Sequence, residues 1–102
     1  MVYKQHEISA RTLNKKEKDL VEQINKVFPL IENAIEDVRN GIIEGVNEKQ
    51  LIKIQKELIE MINYLNPQDY MPGFGHAIAD SWDSDWELGE LLLNIIAQYK
   101  RL

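Results

Sequence analysis

The residues of this chain best suited to chemistry lie between positions 70 and 90. The acids of this stretch are Asp80, Asp83, Asp85, Glu87 and Glu90. Several neighbouring carboxylates could bind a divalent cation, because hard cations prefer oxygen ligands. Their spacing does not fit an EF-hand loop, and the sequence has no Glu-x-x-His pair of the kind that di-iron bundles use. Helix capping and surface charge explain most of these acids, so we expect no metal site and no cofactor.

His76, Asp80 and Ser81 are the residue types of a hydrolase triad. They lie too close in sequence to form that geometry easily, and no nucleophile elbow or glycine-rich oxyanion loop surrounds them. The chain has two histidines and no cysteine, which leaves few groups for acid–base catalysis. We therefore expect that the protein is not an enzyme. A metal-assisted enzyme that uses the carboxylates with His76 is the least favoured alternative.

Two tryptophans lie among these acids and have different expected environments. Trp82 follows Ile78 by one helical turn and is predicted to pack inward. Trp86 lies between Asp85 and Glu87, off the apolar stripe of the helix that follows. We predict that Trp86 is partly exposed and anchors a partner, as aromatic residues do in protein interfaces.

Three helical segments must position this stretch. The first follows a capping box formed by Asn14 and Glu17, and its apolar residues recur every three or four positions from Leu20 to Val38. Pro29 lies inside this pattern and does not change its phase. Proline therefore either kinks one long helix or separates two nearly collinear ones.

The other two helical segments lie closer to the acidic stretch. One runs from about Glu48 to about Leu65 and stops before Pro67, because proline disfavours helical geometry in the residue before it. A capping box at Ser84 and Glu87 starts the last helix, which runs to the C-terminus. The sequence predicts an all-α fold, a small antiparallel bundle of three to four helices.

Two segments have no helical period. Residues 1–12 are predicted to form an extended N-terminal arm, with a short strand left open, and residues 66–83 are predicted to form a long aromatic and acidic loop. A loop of this length in a small domain is usually functional or disordered, and its aromatic content argues against disorder. At 102 residues the chain is expected to be a single domain, residues 1–102.

The charge is distributed unevenly. The net charge is −5, and residues 57–99 contain eight acids and no Lys or Arg. Such a segment repels nucleic acid and attracts cationic partners. The chain has no apolar run long enough to span a bilayer, and its polar helix faces are acidic or mixed, so we expect no membrane partner. It has no cysteine and its start lacks the apolar core of a signal peptide, which indicates the cytoplasm.

The C-terminal quarter resembles a known group of proteins. The segment from His76 to Trp82, HAIADSW, is followed by Leu88-Gly89 and a leucine-rich helix to Tyr99. This pattern resembles the tail of small acidic bacterial immunity proteins, which are encoded beside toxin genes. The resemblance implies a cytoplasmic inhibitor that binds and blocks a toxin domain. It implies nothing about architecture, because immunity proteins are diverse in fold.

The residues are compatible with that role. Many toxin domains act on nucleic acid and present basic sites, which an acidic surface would complement. We expect the loop 69–83 and the start of the last helix to form the binding face. A self-associating structural or regulatory protein, with the aromatic loop at a dimer interface, is the main alternative. The residues expected to contact the partner are Phe74, His76, Asp80, Asp83, Asp85, Trp86, Glu87 and Glu90.

Overall fold

The computed structural model describes residues 12–83 and 85–102, and these residues form four helices. The predicted all-α bundle is confirmed. The predicted N-terminal arm lies outside the described residues, apart from residue 12. The helices are α1 (Lys15–Arg39), α2 (Glu48–Tyr64), α3 (Phe74–Ser81) and α4 (Glu87–Lys100).

Helix α1 is continuous through its proline. It begins with the predicted capping box, in which the Glu17 N–H donates to Asn14 Oδ1 at 2.8 Å and the Asn14 N–H donates to Glu17 Oε1 at 3.0 Å. Pro29 lies inside the helix on its exposed side. A missing backbone donor is tolerated there more easily than in the core, because water can solvate the surrounding backbone. The sequence allowed one long helix or two nearly collinear helices around Pro29, and the structure shows one helix.

Helix α1 packs against both α2 and α4. At one end, the Arg39 guanidinium contacts the Glu48 carboxylate at 2.7 Å and joins the end of α1 to the start of α2. At the other end, Lys16 Nζ donates to the Arg101 carbonyl oxygen at 3.4 Å and joins the start of α1 to the end of α4. Helix α1 is therefore antiparallel to both neighbours.

The predicted apolar stripes of the three long helices meet in one core. Burial of these side chains is the main favourable contribution to folding, at about 25 cal/mol for each Å² of apolar surface removed from water. The core contains buried residues of the three long helices, together with Leu65, which ends α2. These residues are Leu20, Ile24, Val27, Ile31, Ala34, Ile35, Leu51, Ile54, Leu58, Met61, Ile62, Leu65, Leu88, Leu92, Ile95, Ile96 and Tyr99.

Helix α3 corrects the sequence prediction. The predicted loop 66–83 is wrong over Phe74–Ser81, where Phe74 and Ile78 bury one face of a short helix. The Glu57 carboxylate, on α2, accepts a hydrogen bond from the Gly73 N–H at 3.4 Å, just before the first turn of α3. A β-carbon at Gly75 would lie 2.9 Å from Ile96 Cδ1, so glycine permits the close approach of α3 to α4. A buried apolar face and tertiary contacts thus form a helix that is too short to be stable alone.

The connection from α2 to α3 is fastened by one buried tyrosine. Leu65 ends α2 in the left-handed region at φ 46°. The Tyr99 hydroxyl, on α4, then lies 2.9 Å from the Asn66 carbonyl oxygen and 2.6 Å from the Tyr70 carbonyl oxygen, and it donates to this pair of acceptors. Burial raises the pKa of Tyr99. The ring of Tyr70 also stacks on Tyr64, with centroids 5.5 Å apart.

Candidate functional site

The turn between α3 and α4 is organised by Asp83. Its Oδ1 accepts the Asp85 N–H at 3.0 Å, and its carbonyl oxygen accepts the Trp86 N–H at 3.0 Å. Aspartate is favoured in such turns because its side chain can replace a backbone acceptor. Ser84, part of the predicted capping box, lies outside the described residues, and α4 begins at Glu87 with Trp86 as its N-cap residue. The turn leaves the side chains of Asp83 and Asp85 exposed.

Trp82 is held in place by contacts with Gln50, Gly89 and Trp86. It is buried, with 7% of its surface exposed, as predicted. Its indole N–H donates to Gln50 Oε1 on α2 at 3.2 Å. A β-carbon at Gly89 would lie 3.1 Å from the Trp82 ring, so the glycine on α4 makes room for the indole. The Trp86 ring packs against Trp82, with centroids 4.5 Å apart and an angle of 36° between the planes.

An open groove of about 670 Å³ lies beside this tryptophan pair. Its two walls come from distant parts of the chain: the loop between α1 and α2, and the end of α3 with the turn into α4. The second wall contains the acids and the tryptophans, and the first adds apolar side chains and one further acid. The residues that line the groove are Ile43, Glu44, Gly45, Val46, Asp80, Ser81, Trp82, Asp83, Asp85 and Trp86.

The groove is acidic as well as apolar. Glu44 faces the same groove as Asp80, Asp83 and Asp85, and none of the described residues that line it is a Lys or Arg. Low-dielectric walls and charges of one sign strengthen the local potential inside a cleft. The groove therefore combines four acidic residues with the exposed part of an indole that packs at an angle against a second one, an arrangement suited to a cation that carries apolar surface.

One ion pair secures the α1–α2 wall of the groove. The Arg39 guanidinium donates to the Glu48 carboxylate across the base of this loop. The hydrogen bond and the positive charge of Arg39 lower the pKa of Glu48, and the reciprocal interaction raises the pKa of Arg39. The two side chains keep 53% and 35% of their surface exposed, so this pair joins the two ends of the loop but adds little to the stability of the fold.

The structure gathers only part of the predicted site. Asp80, Asp83, Asp85 and Trp86 line the groove, and Trp86 is half-buried, in keeping with its predicted partial exposure. Phe74 is buried, with 4% of its surface exposed, so it belongs to the core and is not available to a partner. The reason is its position on the inner face of α3, the helix that was expected to be a loop.

The remaining predicted residues lie outside the groove. Glu87 and Glu90 are exposed on the first turn of α4, where acids interact favourably with the helix dipole. His76 is exposed and lines a different groove, together with Leu93 and Lys100. Sequence reasoning missed the α1–α2 wall, and Glu44 with it, because local spacing carries no signal for a contact between segments this far apart in the chain.

The three residues considered for a hydrolase triad line two different grooves. Asp80 and Ser81 line the acidic groove and His76 does not, so the three residue types of a triad do not converge on one cavity. Within residues 12–83 and 85–102, no three His, Cys, Asp or Glu side chains are grouped as a metal ion requires.

Two further findings bear on what the chain is. None of the helices described here has the length and apolar character needed to cross a membrane. No family model, curated protein or solved structure matches the chain.

Proposed function

We propose that this chain is a non-enzymatic inhibitor that binds another protein, acting in the bacterial cytoplasm as an immunity protein against a toxin domain with a basic surface. The observation that carries the proposal is the groove that Glu44, Asp80, Asp83 and Asp85 line together with the tryptophan pair. The resemblance of the segment from His76 to Trp82 to immunity proteins supports the same role. A nuclease is one such target, because its active site must attract a polyanion.

The two chemical components of the groove would act at different stages of binding. Like-charged carboxylates attract a basic partner from a distance and raise the association rate, an effect that salt screens. The partly exposed Trp86 ring gives apolar contact area once the partner has docked, and such aromatic anchors mainly slow dissociation. The acids should therefore control the salt dependence of binding, and the tryptophan should control the lifetime of the complex.

The test uses a groove variant and a control variant of equal charge. The groove variant carries Asp80→Asn, Asp83→Asn and Asp85→Asn; asparagine keeps the Oδ1 atom that accepts the Asp85 N–H, so the turn is preserved. The control carries three Glu→Gln substitutions on the exposed side of α1, outside the lining of the groove. These control positions are Glu22, Glu32 and Glu36.

Each tagged protein is incubated with lysate of the organism that encodes it and washed at rising salt. We expect the native chain and the control variant to retain one stoichiometric basic protein, released as salt increases, and the groove variant to lose it. Expression of the captured protein should be toxic, and co-expression of the native chain should relieve that toxicity. Equal capture by the groove variant at every salt concentration would show that the partner uses another surface.

A second candidate function is self-association, and one observation favours it. Met71 and Leu93 are 43% and 39% exposed and, with Pro72 and Ile96, form the apolar part of the groove that His76 and Lys100 also line. Exposed apolar groups that share one cavity can be covered by a second copy of the chain. Sedimentation velocity at several concentrations separates the two functions. A dimer that dissociates when Met71→Gln and Leu93→Gln are introduced would favour self-association, and a monomer throughout would exclude it.

A further inference from the structure

The tryptophan pair presents its accessible aromatic surface through one ring. Trp82 is buried against α2 and α4, whereas Trp86 is only half-buried and lines the groove. Trp82 covers part of Trp86, so the exposed indole surface of the pair belongs to Trp86. The carboxylates of Asp83 and Asp85 are in the same turn, and Glu44 lies on the other wall.

We propose that the groove recognises an arginine side chain of the partner protein, with the guanidinium on the exposed Trp86 ring and its N–H groups directed to the surrounding carboxylates. This inference rests on the proposed function and specifies what the partner presents. An indole is the best aromatic acceptor for a cation, and the attraction grows as the pair is desolvated. An acidic groove lined by a half-buried indole provides both conditions.

Arginine fits this groove better than lysine for geometric reasons. The acidic residues that line the groove come from two separate segments of the chain, so a ligand that reaches both must donate in more than one direction. Guanidinium has five N–H donors in a planar fork, stacks on aromatic faces and is weakly hydrated. The lysine ammonium is a compact, strongly hydrated charge and loses more hydration energy on entering an apolar groove. The apolar stem, which lysine also has, can contact Ile43 and Val46 and does not discriminate between the two.

Trp82 and Gln50 act as positioning residues in this scheme. The hydrogen bond from the Trp82 indole to Gln50 Oε1 fixes the buried ring, and that ring supports Trp86 from behind. A ring held in place before binding loses less conformational entropy when the guanidinium arrives. Gln50→Leu should therefore weaken arginine binding without removing any group that touches the ligand.

The test uses three short peptides that differ at one type of residue. The peptides contain glycine with two arginines, two lysines or two citrullines; citrulline has a neutral urea group with the shape of guanidinium. Binding to the full chain is followed through the indole N–H signals of Trp82 and Trp86 in nitrogen–proton correlation spectra. We expect the arginine peptide to shift the Trp86 signal most, the lysine peptide to bind about three- to tenfold more weakly, and the citrulline peptide to cause no shift.

Substitutions at Trp86 test whether binding of the arginine peptide depends on this ring. Trp86→Leu should weaken binding of the arginine peptide by about three- to tenfold, and Trp86→Phe, which keeps an aromatic face, should restore part of it. Tyr64→Leu is the matched control, because Tyr64 is also partly exposed, at 46%, and does not line the groove. The helical circular dichroism of each variant verifies that it folds.

The outcomes distinguish this inference from the proposed function. Equal binding of the citrulline and arginine peptides, or an unchanged affinity in Trp86→Leu, would overturn the inference. If Trp86→Leu captures the basic partner as completely as the native chain at every salt concentration, while the Asp80, Asp83 and Asp85 variant loses it, the inhibitor function stands and arginine stacking is wrong. If neither substitution changes capture, both are wrong.

Discussion

Tyr99→Phe should loosen the connection between α2 and α3 without changing the shape of the core. Tyr99 is fully buried, and its hydroxyl is the only group that the substitution removes. The Asn66 carbonyl oxygen also accepts from the backbone N–H groups of Asp69 and Tyr70, each at 3.1 Å, so it keeps partners. The Tyr70 carbonyl oxygen loses the 2.6 Å contact. The substitution therefore removes the hydrogen bond to the Tyr70 carbonyl oxygen, which must then be solvated by water.

The expected loss follows from those contacts. Removing one partner of a partly buried hydrogen bond costs about 1–2 kcal/mol. For a domain of this size that corresponds to a fall in Tm of about 5–10 °C. Thermal unfolding followed by circular dichroism measures the shift, and guanidinium titration gives the free energy of unfolding with its slope.

Tyr64→Phe is the matched control for this experiment. Tyr64 is 46% exposed, and its hydroxyl has no hydrogen bond to the described residues that would be lost. We expect its Tm to stay within about 2 °C of the native value, as surface substitutions usually do. Equal Tm values for Tyr99→Phe and Tyr64→Phe would refute the view that the Tyr99 hydroxyl fastens the connection.

Three further predictions concern a helix cap, a tyrosine and a glycine. Asn14→Ala removes the acceptor of the Glu17 N–H and should lower the free energy of unfolding by about 1 kcal/mol in urea titration. Burial, with a smaller effect from the nearby Glu57 carboxylate, raises the pKa of Tyr70 to about 12. This pKa lies above the value of 10 that is usual for tyrosine, so the contribution of Tyr70 to the free energy of unfolding is complete below pH 10 and is lost as the pH rises toward 12. A titration followed by tyrosinate absorbance should show a step near pH 12 in the native chain, and Tyr70→Phe should remove it. Gly89→Val would place a larger group where even a β-carbon is 3.1 Å from Trp82, and it should shift the Trp82 fluorescence and lower stability by about 1–3 kcal/mol, whereas an unchanged spectrum would show that the ring has room to move.

The long helices could be predicted because their information is local. The apolar residues from Leu20 to Ala34 lie on one face at helical spacing, and Pro29 does not disturb that phase, so the pattern specifies one buried stripe. The end of α2 was equally clear, since Pro67 follows it. In each case the signal lies within a few turns of the residues that it describes.

Helix α3 shows where local information becomes too weak. Its eight residues include Gly75 and no side-chain N-cap, so the propensity for a helix is low. The spacing of four between Phe74, Ile78 and Trp82 was the available signal, and it was used only to place Trp82 inward. The helix depends on contacts with α2 and α4, and those contacts are not encoded in the spacing of its own residues.

The candidate site also has a part that could be predicted from local sequence and a part that could not. Asp83, Asp85 and Trp86 are close in sequence, so their proximity could be predicted. The other wall, from Ile43 to Val46, joins them through the tertiary fold, in which α1 packs against α2 and α4. Four of the ten residues that line the groove could therefore not be predicted from spacing.

The separation of the two walls along the chain links binding to folding. A peptide copied from residues 80–90 would contain the acids and Trp86 but only one side of the groove. The groove disappears when the chain unfolds, so a ligand that fills it binds the native state alone. Free ligand at 100 times its Kd would add about 2.7 kcal/mol to the free energy of unfolding. For a small domain whose total stability is about 5–10 kcal/mol, occupancy of the groove would substantially lower the fraction of unfolded molecules open to proteases.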